Sequence, residues 1–158
     1  GGITPDMLLS VLDEVAVAES VLRPLQKGEK ALSPGMLYKH YAPKGMLSLV
    51  KGAQPHVSAL IRRLCKEAEA LGKAVQVLAF REHLADYEGL NTKCIGSLRE
   101  PETVARRLFA TLREADAEGI DVLYSEVLPA EGVGLAVMNR LSRAAGFRTI
   151  EADEESMQ

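Results

Sequence analysis

Met46-Leu47-Ser48-Leu49-Val50, then Lys51-Gly52, an amphipathic run over 55–71, Gly72, and Ala74-Val75-Gln76-Val77-Leu78-Ala79-Phe80 read in order as strand, helix and strand. Both end runs are short and apolar, and the second is rich in branched and aromatic side chains, as buried strands are. Between them Val57, Leu60, Ile61, Leu64, Cys65, Ala68 and Leu71 recur at helical spacing and form one apolar stripe, suited to covering a sheet face. Gly72 fits the position just past a helix end. A stretch of this kind predicts a parallel βαβ unit.

Toward the C-terminus the pattern repeats. A less regular stretch with His83, Tyr87 and Gly89 leads to a third strand candidate, Thr92-Lys93-Cys94-Ile95-Gly96. Pro101 opens a helix over about 101–118 with Val104, Ala105, Leu108, Leu112 and Ala115 facing inward, and Gly119 ends it. Ile120-Asp121-Val122-Leu123-Tyr124-Ser125-Glu126 is a fourth strand. A turn at Pro129-Ala130-Glu131-Gly132 precedes a last helix over about 134–145, and Arg148-Thr149-Ile150 reads as an edge strand. The expected fold is α/β: a Rossmann-like three-layer domain over 46–150 with a mostly parallel sheet of four or five strands, preceded by an extended linker. The acidic tail 151–158 is expected to be disordered.

Upstream lies Ser33-Pro34-Gly35-Met36-Leu37-Tyr38-Lys39-His40-Tyr41-Ala42-Pro43-Lys44-Gly45. The chain has only four tyrosines and three histidines, so the gathering of Tyr38, His40 and Tyr41 sets this segment apart. Ser33 and Ala42 each precede a proline and are biased to extended backbone, so an arm of alternating side chains is expected. Composition alone reads it as an interdomain linker whose aromatics pack on a neighbouring domain. Further upstream, Thr4-Pro5-Asp6 starts a short helix to about Leu12, followed by a strand candidate Glu14-Val15-Ala16-Val17. One helix and one strand are too little for an independent domain. The piece is either the end of another domain or an arm that docks on its own domain or on a second copy.

A net charge of -3, with basic residues scattered between acidic ones, gives no electrostatic footprint for direct nucleic-acid binding. No apolar run is long enough to span a bilayer and no signal-peptide pattern is present, so a cytoplasmic protein without membrane partners is expected. Cys65 and Cys94 read as reduced core thiols, because neither has a second cysteine nearby. His40, His56 and His83 have no metal-ligand spacing, and His56 and His83 read as surface residues. There is no Walker-type loop and no nucleophile serine on a strand-turn-helix element. Gly132 and Gly134 stand between a strand and a helix N-terminus. That placement suits either an anion site or merely a tight turn, with Asn139 and Arg140 on a solvent-facing or domain-facing surface.

Ser33-Pro34-Gly35-Met36, Tyr38 and His40-Tyr41-Ala42-Pro43 resemble, at nine positions in order and spacing, the linker of the two-domain L-threonylcarbamoyladenylate synthases. In that family a YrdC-like catalytic domain precedes a smaller C-terminal domain. Residues 46–150 resemble the second domain, with 131–140 similar to its second signature. The Gly-Ile-Thr-Pro start resembles the end of the first. Leu37 and Lys39 depart from the pattern, which usually has lysine and arginine there, and a lysine lacks the two-pronged donor geometry of arginine.

The resemblance implies that 1–31 is the remnant of a catalytic domain whose bulk is missing upstream, followed by a loop. It implies that 32–45 is a linker whose Pro34, Gly35, Met36, Tyr38, Lys39, His40, Tyr41 and Pro43 act as a lid over the catalytic cleft. The implied parent is a nucleotidyltransferase. It takes L-threonine, bicarbonate and ATP with magnesium to threonylcarbamoyl-AMP, which other proteins pass to tRNA as threonylcarbamoyladenosine. Its catalytic groups, ATP and metal then belong upstream, and no catalytic residue, cofactor or metal is expected in this chain. Its partners would be its own YrdC-like domain and, indirectly, the tRNA-modifying machinery. A free-standing nucleotide-binding or small-molecule-binding module using Gly132 and Gly134, and a structural dimerisation domain forming a homodimer, are the alternatives.

Overall fold

The computed structural model describes residues 42–153. The helix expected from Thr4, the strand candidate after it, the lid residues Pro34, Gly35, Met36, Tyr38, Lys39, His40 and Tyr41, and residues 154–158 lie outside the described residues. Pro43 lies within them, half-buried on the way into the first strand.

The elements follow as β1 (Met46–Gly52), α1 (Gln54–Ala70), β2 (Val75–Ala79), a 3-10 helix (Arg81–Tyr87), β3 (Thr92–Cys94), α2 (Pro101–Ala117), β4 (Val122–Ser125), α3 (Val133–Ala144) and β5 (Thr149–Ala152). All strand pairs are parallel, in the order β3-β2-β4-β1-β5. Strand alternation divides the core in two. Leu47, Leu49, Leu78 and Leu123 meet Leu108 and Leu112 of α2 and Val137 and Leu141 of α3. Val50, Val75, Val77 and Val122 meet Val57, Leu60, Ile61 and Cys65 of α1. Both faces of the sheet are therefore covered, which parallel strands require and which the near-continuous apolar runs anticipated. Removing a fully buried leucine such as Leu123 from this interior costs about 2–5 kcal/mol.

Four details differ from the sequence reading. Leu71, assigned to the stripe of α1, is 75% exposed, because it closes the helix and its backbone turns away from the face. The third strand ends at Cys94, since only Thr92, Lys93 and Cys94 find partners on β2. β5 takes in Glu151 and Ala152, assigned to the tail, because β1 runs on to Gly52 and offers them partners. The irregular stretch around His83 is a 3-10 helix, held to α1 by Arg62, whose guanidinium donates to the carbonyls of Asp86 and Glu88 at 2.8 Å each.

Candidate functional site

Open parallel sheets bind ligands at the carboxyl edge, between neighbouring strands whose connections leave in opposite directions. Here those strands are β2, which continues outward to β3, and β4, which continues through α3 to β5 on the other side. The residue that follows β4 is Glu126, and it is only 2% exposed. Its Oε2 accepts from the Phe80 amide at 3.2 Å and lies 2.9 Å from His83 Nδ1; facing an acceptor, that nitrogen carries the ring proton. Its Oε1 accepts from the Tyr87 hydroxyl at 2.7 Å and from Gln54 Nε2 at 3.1 Å. Gln54 also donates to Asp86, so the first residue of α1 is bound to both loops.

One carboxylate thus gathers the ends of β1, β2 and β4. Tyr87 is fully buried, and burial together with the neighbouring carboxylate pushes its phenol well above the usual range, so it stays a donor. The His83 ring meets Phe80 edge-on, with centroids 6.2 Å apart. His83, read from sequence as a surface residue, is half-buried in this network, its side chain 21% exposed. The constellation went unread because Glu126 stands 43 and 39 residues from its two ring partners. The only local hint was an acidic residue ending an apolar strand.

Beside it, Glu82 accepts from the Ser97 hydroxyl and from the Leu98 amide, tying the 3-10 helix to the turn after β3. The Ser97 hydroxyl chiefly holds the Glu82 carboxyl down at about 2. On the outer side of β3, a groove of about 290 Å³ runs along α2, bordered by Lys93, Cys94, Arg106, Arg107 and Glu114. Lys93 is paired with Glu118 at 3.0 Å and Glu114 at 3.8 Å. Cys65 is a core thiol that burial pushes up to about 11, whereas Cys94 is half-buried, and both are free.

The glycine turn has a packing explanation. Gly132 caps α3 with φ 55, a left-handed conformation that favours glycine. A methyl group on Gly134 would overlap the carbonyl oxygen of Pro129. Asn139 and Arg140 are not brought to this turn, since they lie about 10 Å farther along the helix axis. Asn139 Oδ1 accepts from Arg143 Nε at 3.2 Å, and the Arg140 guanidinium stands 5.8 Å from the centre of the Phe109 ring on α2. Among the described residues no group of three His, Cys, Asp or Glu side chains is arranged to hold a metal ion, and no helix is long and apolar enough to cross a membrane.

Chemically, then, the switch point is occupied by a carboxylate whose two oxygens already face four donors. The arrangement clasps three loops; it leaves no open acceptor pair in the crevice.

Comparison with known proteins bears on what that scaffold belongs to. The family model described as "Threonylcarbamoyl-AMP synthase, C-terminal domain" matches residues 3–146. The threonylcarbamoyl-AMP synthase of Bacillus subtilis (strain 168) is 37% identical over 150 residues, which is 95% of this chain and 41% of that protein. The crystal structure of P. abyssi Sua5 complexed with L-threonine superposes with a TM-score of 0.83 at 33% identity, covering 97% of this chain and 43% of the other. A form of the P. abyssi protein with a neighbouring histidine and tyrosine replaced by alanine gives 0.82 at 31% identity, covering 96% and 42%. The chain spans about two fifths of the length of the curated relatives it matches. With a family match that runs over most of the sequence and relatives that align with nearly all of it, the chain belongs to the threonylcarbamoyl-AMP synthase C-terminal domain family.

Proposed function

We propose that this chain is the C-terminal part of a cytoplasmic enzyme that forms threonylcarbamoyl-AMP from L-threonine, bicarbonate and ATP for tRNA threonylcarbamoyladenosine modification. In this reading the chain alone is not catalytic. Residues 46–150 anchor an arm, 32–45, that closes over a catalytic cleft upstream. The observation that carries it is the coverage: the relatives align with about 95% of this chain but leave more than half of their own length unmatched. The lid reading draws further support from the relative crystallised with a histidine–tyrosine pair replaced, because His40-Tyr41 is the single His-Tyr dipeptide of this chain.

ATP and magnesium belong, on this reading, to the upstream domain, where the metal would neutralise charge on the phosphates. This chain's own share is exclusion of water. Tyr38, His40 and Tyr41 present large, partly polar surfaces that order over bound substrate and keep it from hydrolysis, which is what a lid contributes to an adenylation step. The competing nucleotide-binding module is disfavoured by the glycine turn, where Gly134 is pressed on Pro129, and by Glu126, which fills the switch point.

Pyrophosphate release with threonine, bicarbonate, ATP and magnesium tests the proposal. The 158-residue chain is expected to give none, and full turnover by the chain alone would overturn the reading. In the longer protein, His40→Ala with Tyr41→Ala is expected to lower turnover at least about tenfold, the order a misplaced closure element costs.

A further inference from the structure

The arm enters the domain through three consecutive residues, each held by the end of α2 or by the loop that joins it to β4. The Lys44 amide donates to Asp116 Oδ1 at 2.7 Å, near the C-terminal end of α2. Gly45 lies flush on the next backbone: a Cβ there would overlap the Ile120 carbonyl oxygen and come within 2.9 Å of the Asp121 carbonyl oxygen. Those are backbone atoms and cannot swing aside. The Met46 amide then donates to the Asp121 carbonyl at 2.9 Å, and β1 begins. Asp121 is fixed in turn, since its Oδ2 accepts from the Ala74 amide and its own amide donates to the Ala74 carbonyl, both at 2.8 Å. The end of α2 and the loop residues just before β4, themselves tied to the residue before β2, thus hold residues 44–46 in one conformation.

We infer that Gly45, Asp116 and Asp121 form a rigid joint that sets the direction in which the arm leaves the sheet, and that Asp116 is a positioning residue for the adenylate-forming reaction. The catalytic half of this rests on the lid reading above. A lid closes productively only if its base is fixed, because a small misplacement at the reacting centre is costly. The joint supplies that fixed base at the cost of no side chain at position 45, where only glycine fits. Asp116 needs only an acceptor oxygen, so asparagine can replace it where alanine cannot.

The Lys44-Gly45 bond is a trypsin site, which makes the joint measurable in the 158-residue chain. Cleavage there is expected to run about tenfold faster in Asp116→Ala, since opening the joint no longer breaks a charge-assisted bond. Asp116→Asn should restore the slow rate, and the thermal midpoint of the domain should stay unchanged in both. Gly45→Ala, which displaces the arm by overlap instead of by losing a bond, should also cleave fast. Equal cleavage of Asp116→Ala and the unaltered chain would overturn the joint. In the longer protein, Asp116→Ala is expected to lower kcat about tenfold with KM for threonine nearly unchanged, and Asp116→Asn to recover it. Fast cleavage with unaltered kcat would overturn the positioning role and the lid reading while leaving the joint in place; slow cleavage with loss of lid activity in His40→Ala would leave the lid reading and remove the joint.

Discussion

At the scale of single residues the molecule turns on Glu126. A carboxylate offers acceptors on both oxygens, and all four of its partners are donors: a backbone amide, an imidazole, a phenol and a carboxamide. Glu126→Gln keeps the shape but sets an NH2 group against donors, so buried partners lose their acceptor. The expected cost is about 2–3 kcal/mol by urea unfolding, because a buried donor left without an acceptor is expensive. Tyr87→Phe removes one of the four and should cost about half as much, with the apolar packing of the ring retained. If Glu126→Gln unfolds like the unaltered chain, the clasp contributes nothing. None of this was legible along the sequence. His83 and Tyr87 lay in a less regular stretch, and Glu126 was read only as the last residue of the fourth strand.

At the scale of elements, two joints between loops can be tested apart from the clasp. Gly134 marks where the turn after β4 presses on the first turn of α3. Gly134→Ala is expected to destabilise by about 1–3 kcal/mol, the usual cost of forcing a methyl into a filled space, and to do so with or without nucleotide present. A nucleotide-dependent effect would instead revive the binding-module alternative. The link between the 3-10 helix and the turn after β3 is sensitive to acid. Folding lowers the Glu82 carboxyl from 4.5 to about 2, so its contribution is fully present above about pH 4.5 and is lost as pH falls toward 2. Glu82 is largely exposed, which keeps the effect small through solvent screening. Ser97→Ala should lower stability slightly above about pH 4.5 and leave it nearly unchanged near pH 2, which flattens the acid limb between those values. Unaltered acid sensitivity in thermal melts would count against the link.

At the scale of the whole molecule, β4 is the centre. It was the last long strand to be read along the chain, yet it lies between β1 and β2, with Leu123 beside Leu47 on one side and Gln76 on the other. Its amides should be the slowest to exchange, limited by global unfolding, while β3 and β5, at the two edges, exchange through local openings at least about tenfold faster. Native-state hydrogen exchange that found β5 as protected as β4 would contradict that ranking.

The sequence by itself determined the alternation of strands and helices, because a stripe at helical spacing and a short apolar run have different periods and little else competes with them. It also carried the family resemblance, since the arm is an unbroken run whose side chains are compared position by position. Strand order, the burial of Glu126 among four donors, the pressure of Pro129 on Gly134 and the fit of Gly45 against Ile120 were decided only by the tertiary structure. Each depends on which distant backbone lies alongside, and local periodicity does not encode the partner of a strand or the neighbour of a loop.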